Sequence, residues 1–325
     1  MLQRRQLLAL ATGACGLPTA SRLVWAQTYP SRPVHIIVGF APGGAADIVA
    51  RHIAHSLSDR FEQPVVVENR PGAGTNLATE YVVRANPDGY TLLMASVSNA
   101  INQTLYPDLK FSFLSDIAPV ASISLGALVL VVNPSVPAKT TSELVAYAKA
   151  NPGKLNYASG GIGTLTHLAG ALYVMQAGID IVHIPYRSGE APALTGVMSG
   201  QAQLMFATVP SAIGLIRAGT LKAFAVSTTT RCAALPSTPP IGDVLPGYEA
   251  STWVGLGAPR KTAPDIIDKL NGEIGAALAD TKIAARLSDL GAAPLTGTSA
   301  DFGKLIARDT DKWGKVIKSA GIIPE

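Results

Sequence analysis

Residues 34–61 read VHIIVGFAPGGAADIVARHIAHSLSDRF. The first seven are β-branched and apolar, with no acid or amide among them, which is the pattern of a buried strand. Ala41, Pro42, Gly43 and Gly44 then make a tight turn that strips side chains from the backbone. Beyond the turn, Ala46, Val49, Ala50, Ile53, Ala54, Leu57 and Phe61 recur at helical spacing on one face. A strand, a glycine turn and a helix N-terminus leave backbone N–H groups free at the strand's carboxyl end, a place that attracts an anion. The same grammar also serves an ordinary βα connection.

Outward from this unit, 325 residues suggest two domains. With 48% hydrophobic and 15% charged residues, the chain can build large cores and has little material for disorder. Arg4 and Arg5 precede an apolar run, and Val24-Trp25-Ala26 fits a signal-peptidase site, so residues 1–26 read as an export signal. The arginine pair leaves a twin-arginine route open beside the general one. Cys15 follows Thr12-Gly13-Ala14, a poor lipobox. Removing Arg4, Arg5 and Arg22 from the 26 basic residues leaves 23 against 22 acidic ones, which takes away the case for a nucleic-acid partner. Cys232 would then stand alone, without an intrachain disulfide.

Residues 64–68 and 90–95 read as further strands, with a helix over 77–85 between them, so β-α-β-α-β with a parallel sheet is expected. Residues 127–132 read as the next strand and 141–150 as a helix. The opening pattern then returns. A short strand at 155–158 precedes Ser159-Gly160-Gly161-Ile162-Gly163-Thr164, and a helix follows over 165–176. Strands at 182–186, 202–207 and 221–226 complete a second α/β unit. Residues 252–257 read as a last strand, and helical patterns fill most of the rest, starting at Pro264. The expected organisation is a discontinuous first domain, 27–126 with 252–325, and a second domain, 127–251.

Two glycine turns, one per domain, would face each other across a cleft and hold a small anion through backbone N–H groups and helix dipoles. Enzyme signatures are mostly absent: no dinucleotide fingerprint, P-loop lysine or nucleophile-elbow serine occurs, and no cofactor is expected. The histidines form no metal set. His52 and His55 lie on a polar helix face with Asp59, while His35 and His183 sit in strands. His167 lies near the second turn, where it can touch ligand or make a local hydrogen bond. Asp47 lies in a first helical turn, where an acid is favoured by the dipole alone.

The stretches YPSRPVHIIVGFAPGGAADIVAR, VVVENRPGAGTN, PDGYTLL, YASGGIGTLTHLAGALY, VHIPYRSGEAPALTGVMSGQAQLMF, GTLKAFAV and PGYEASTWVGLGAP resemble the extracytoplasmic receptors of tripartite tricarboxylate transporters, the Bug or TctC-type family. The resemblance covers essentially the whole mature chain. It implies a periplasmic, monomeric receptor of the two-domain type II periplasmic-binding-protein fold, each domain a mostly parallel sheet flanked by helices, closing like a Venus flytrap on a small organic carboxylate. Its partners would be that ligand and the membrane permease subunits. Residues matching Phe40, Ala41, Pro42, Gly43, Gly44, Ala45 and Asp47, and Ser159, Gly161, Ile162, Gly163, Thr164 and His167, would surround the ligand carboxylate. Thr75, Asn76, Ser96, Ser98, Tyr186, Arg187, Phe206, Ala207 and Thr208 would line the cleft.

Two departures stand out. Many relatives carry proline or another residue at Gly39, and glycine and threonine at Ala45 and Ala46. Many carry an acid at Ala207, where it could pair with a ligand ammonium, so the expected cargo is a carboxylate without a positive amine. An enzyme acting on carboxylates and an effector-sensing module are the competing readings. The first lacks a triad and a metal set. The second lacks a preceding DNA-binding helix pair.

Overall fold

The computed structural model describes residues 29–187 and 189–324, so the export-signal reading lies outside the described residues. The opening unit forms as its pattern requires: β1 (Val34–Val38), the glycine turn, then α1 (Ala45–Phe61), whose Val49, Ala50, Ile53, Ala54, Leu57 and Phe61 are buried. β2 (Val65–Asn69), α2 (Asn76–Val83) and β3 (Thr91–Ser96) follow, then α3 (Val97–Leu105), the short α4 (Phe113–Asp116) and β4 (Ile117–Gly126). The second unit comprises β5 (Leu128–Val132), α5 (Thr141–Ala150), β6 (Asn156–Ser159), α6 (Leu165–Ala177), β7 (Val182–Pro185), α7 (Glu190–Met198), β8 (Leu204–Thr208), α8 (Val209–Arg217) and β9 (Lys222–Val226). The chain then returns through β10 (Thr252–Pro259), α9 (Pro264–Leu278), α10 (Thr281–Asp289), β11 (Ala292–Pro294) and α11 (Ser299–Ser319).

Two sheets result. The first has the order β11-β4-β10-β3-β1-β2 and the second β7-β6-β8-β5-β9. The chain crosses between them twice, from β4 to β5 through Ala127 and from β9 back to β10. β1 pairs parallel with β2 and β3, and β6 pairs parallel with β7 and β8, as right-handed βαβ units demand. The mostly parallel character expected from the sequence is confined to these units. β10, β4 and β11 run antiparallel in the first sheet, as β5 does to both its neighbours in the second. β10 enters from the second sheet and β5 from the first, so no helical crossover from a neighbouring strand sets either of them parallel.

β4, β11, α3 and α4 had no counterpart in the sequence reading. β4 is rich in alanine and serine and carries Pro119, which weakens any strand signal. Its ladder with β10 shifts register twice, at Val254/Gly255 and at Leu256/Gly257, and Gly257 is paired with Pro119. α3 was hidden by its polar residues, yet it buries Val97, Ala100, Ile101 and Leu105 along one side.

The cores do not divide with the sheets. One apolar cluster includes Ile37 and Leu93 of the first sheet together with Leu128, Leu130 and Phe206 of the second. α11 packs along α3 and β4 and reaches α6, so a single helix bridges both units. A separate cluster lies under α1 and α9, and another under α7 and α8.

Candidate functional site

A cavity of about 550 Å³ lies where the two sheets meet. The first unit contributes Gly43, Gly44, Ala45 and Ala46, with Ser124, Thr252 and Val254; the second contributes Glu190, Thr208 and Ser211. A larger groove of about 620 Å³ runs outside α2. Its charges are compensated: Arg70 stacks on Tyr81 at 3.7 Å and Arg84 pairs with Glu80.

The first glycine turn is built to present backbone. Gly43 stands at φ 84°, a conformation open to glycine and strained for other residues. Gly44 is the N-cap of α1 and supplies no side-chain cap. The amides of Gly44, Ala45 and Ala46 find no acceptor among the described residues, so the positive end of a 17-residue helix opens on the cavity.

Asp47 fixes that turn and does not face the cavity. Its Oδ2 accepts from the Gly43 amide at 2.9 Å and from Arg51 at 3.0 Å. Its Oδ1 accepts from Arg51 at 2.9 Å and from Asn69 Nδ2 at 2.8 Å. Asn69 also donates to the Phe40 carbonyl at 3.0 Å, tying the end of β2 to the turn. Burial raises the Asp47 pKa, but the hydrogen bonds from Arg51, Gly43 and Asn69 outweigh it and hold the carboxyl below its ordinary value.

The second turn has the same grammar and a different state. The Gly163 amide donates to His167 Nδ1 at 3.1 Å, four residues on, as Gly43 donates to Asp47. The Gly160 amide donates to Thr166 Oγ1, the Gly161 amide to Ser159 Oγ, and the Thr164 amide to the Gly161 carbonyl. Thr164 caps α6 by accepting from the His167 amide. The turn therefore satisfies most of its own donors, and the symmetrical pair of anion-holding turns expected from the sequence is asymmetrical. His167 does the local structural work of the two roles open to it.

Gly163 also brings the second turn against the first unit. A Cβ there would lie 2.3 Å from Leu105 Cδ2. Gly39 plays a similar part within the first unit, where a Cβ would lie 2.7 Å from Thr75 Cβ.

Other predicted residues are committed elsewhere. Thr75 and Asn76 are buried in a polar network beneath α3: Asn99 Nδ2 donates to Thr75 Oγ1 at 3.2 Å and to Thr79 Oγ1 at 2.8 Å, and Asn102 Nδ2 donates to Asn76 Oδ1 at 2.9 Å. The Ser96 amide donates to Asn99 Oδ1 at 2.8 Å, while Ser98 is half-buried in the first turn of α3. Ser159 Oγ bonds His183 Nε2 at 2.7 Å. Phe206 is a core residue packed on Tyr173 and Tyr248, and Ala207 is wholly buried in the cluster under α7 and α8. Tyr186 donates to Gln201 at 3.2 Å, and Arg187 is exposed. Thr208 does line the cavity.

Residues 49–322 match the sequence profile described as the tripartite tricarboxylate transporter family receptor. The chain belongs to this receptor family. BugT of Bordetella pertussis is 34% identical over 315 residues, 96% of this chain and 95% of its own length. Among solved structures, an R. palustris protein with adipate is 32% identical with a TM-score of 0.78, covering 91% of this chain and all of its own. MatC from Rhodopseudomonas palustris with bound malate is 31% identical with a TM-score of 0.74, covering 89% of this chain and all of its own. The family and fold are those of periplasmic solute-binding proteins.

Within this receptor the cavity holds several residues that sequence reasoning missed, one of them charged: Glu190, the first residue of α7. It accepts from the Thr208 amide, from Thr208 Oγ1 at 2.9 Å and from Ser211 Oγ at 3.1 Å. The sequence reading took Ala207 to mean that this corner lacks an acid. The corner has one, supplied by α7 and bonded to the residue next to Ala207. Nothing in the local pattern RSGEAPAL signals that contact, because it joins residues 18 apart, from the start of α7 to the end of β8.

Proposed function

We propose that the protein is an exported receptor that captures a small organic carboxylate in the cavity between its two sheets and delivers it to the membrane permease of a tripartite tricarboxylate transporter. The observation that carries this reading is the uncapped N-terminus of α1, with three amides facing a cavity built from both units. Family membership and the adipate- and malate-bound neighbours support it. The ligand carboxylate sits at Gly44, Ala45 and Ala46, where amides and dipole supply the attraction without a buried lysine or arginine.

In this reading residues 27–126 with 252–325 form one body and 127–251 the other. Ligand shifts the pair toward a closed state because it contacts both. The second turn contributes mainly by packing Gly163 against Leu105 of the first unit. Residues 1–26 direct export and are then cleaved, and the mature protein works as a monomer.

The test is a thermal-shift screen of the mature protein against organic acids, with bound acids recovered and analysed by mass spectrometry. A ligand that prefers the native state raises its stability. A large upward shift with unchanged acid recovered is expected. Chemical conversion of the bound acid would contradict the receptor reading and favour an enzyme.

A further inference from the structure

We propose that Glu190 selects a cargo carrying an ammonium group as well as a carboxylate. This rests on the receptor reading above and gives the ligand a direction. The cavity lining carries both polarities. The first unit supplies the free amides of α1, and the second supplies the Glu190 carboxylate. Among the described residues no lysine, arginine or histidine forms an ion pair with Glu190. Its three donors are all neutral groups, the Thr208 amide and the Thr208 and Ser211 hydroxyls. They hold the carboxylate in place at the N-terminus of α7, and no cationic side chain among the described residues pairs with it. A carboxylate has about four acceptor positions, so one remains for a ligand donor.

A negative charge fixed in a partly enclosed cavity disfavours a second ligand carboxylate nearby and favours a cation, and charge-assisted hydrogen bonds are the strong ones. An amino acid places its carboxylate at α1 and its ammonium at Glu190. A plain dicarboxylate that reaches both groups must bring like charge to Glu190. The remaining lining of hydroxyls and apolar groups, Ser124, Thr252 and Val254 among them, does not distinguish the two. Whether the ammonium is adjacent to the carboxylate or at the far end of the ligand depends on ligand length, and the test separates the two.

Calorimetry on the full mature protein uses two matched series: butyrate, 2-aminobutyrate, 4-aminobutyrate and succinate, then hexanoate, 2-aminohexanoate, 6-aminohexanoate and adipate. At least one amino acid should bind tenfold or more tightly than the plain acid and the dicarboxylate of its length. Glu190→Gln keeps the shape and removes the charge, and it should abolish that preference. A dicarboxylate that binds as tightly as the amino acids in the wild type would overturn the proposal while leaving the carboxylate receptor standing, and so would an unchanged preference in E190Q. Failure of both series to bind would overturn the carboxylate reading and this proposal together. The wild-type comparison decides the matter even where E190Q folds poorly.

Discussion

The rings of His167 and His183 lie face to face, with centroids 3.8 Å apart and planes 4° from parallel. Tyr157 packs beside both, with its centroid 4.7 Å from His183 and 6.3 Å from His167. Burial pushes the His167 pKa down to about 4, and burial with repulsion from His167 pushes His183 down to about 3. Both are neutral in the native state at neutral pH. His167 accepts the Gly163 amide through Nδ1, so protonating it removes the bond that fixes the second turn.

The unfolded chain takes up these protons first, near the ordinary value of about 6.5. Stability is therefore complete above that value and falls as pH drops toward 4 and 3. Thermal melts should show the midpoint declining below about pH 6.5. His183→Phe keeps an aromatic ring in the stack and removes one titrating group, so its decline between pH 6.5 and 4 should be shallower. Equal declines would show that the stack does not set the acid limb.

Asp47→Ala removes the acceptor of the Gly43 amide and the anchor of Arg51 and Asn69. Loss of a buried, charged hydrogen-bond acceptor costs about 2 kcal/mol, read as a lower denaturation midpoint at unchanged slope. Ligand affinity should fall as well, because the turn that presents the α1 amides is no longer fixed. Native affinity in this variant would detach Asp47 from the site.

Gly43 and Gly163 both have positive φ, but their surroundings differ. A Cβ at Gly43 meets nothing within 4 Å, whereas one at Gly163 meets Leu105. Gly43→Ala should cost about 1–2 kcal/mol, the price of left-handed backbone alone. Gly163→Ala should cost more. Leu105→Ala should be less damaging in the G163A background than in the wild type, since it clears the clash. Additive effects would mean the two residues do not meet.

Trp253 Nε1 donates to Asp309 Oδ2 at 2.7 Å, and both residues are buried. Trp253 is the second residue of β10, the strand that returns from the second sheet, and Asp309 also meets Lys312 at 3.2 Å on α11. Trp253→Phe keeps a smaller aromatic ring and leaves Asp309 without that donor. A loss of about 1–3 kcal/mol is expected in denaturant unfolding. Because Trp253 also lines the cavity, ligand-induced stabilisation in the same variant reports whether the contact affects binding as well as folding.

The βα units were legible in the sequence because their strands are short apolar runs closed by glycine or proline. β4 was not, because its alanine, serine and Pro119 dilute the strand signature and its place is set by pairing with β10 and β11. Within the site, Gly43 and Gly44 were legible as turn residues. The asymmetry of the two turns was not, since it depends on which side chains reach back: Thr164, Thr166 and His167 close one turn, and Asp47 takes a single amide of the other. Glu190 was invisible for a similar reason, its partners being brought to it by tertiary contact alone.

The measurement that tests the central claim most directly is an NMR titration of the ¹⁵N-labelled protein with an acid that stabilises it. Binding of the carboxylate at α1 predicts large shifts of the Gly44, Ala45 and Ala46 amides and smaller ones at Gly161 and Gly163, whose donors are already engaged. Saturable binding that leaves the three α1 amides unmoved would contradict the account.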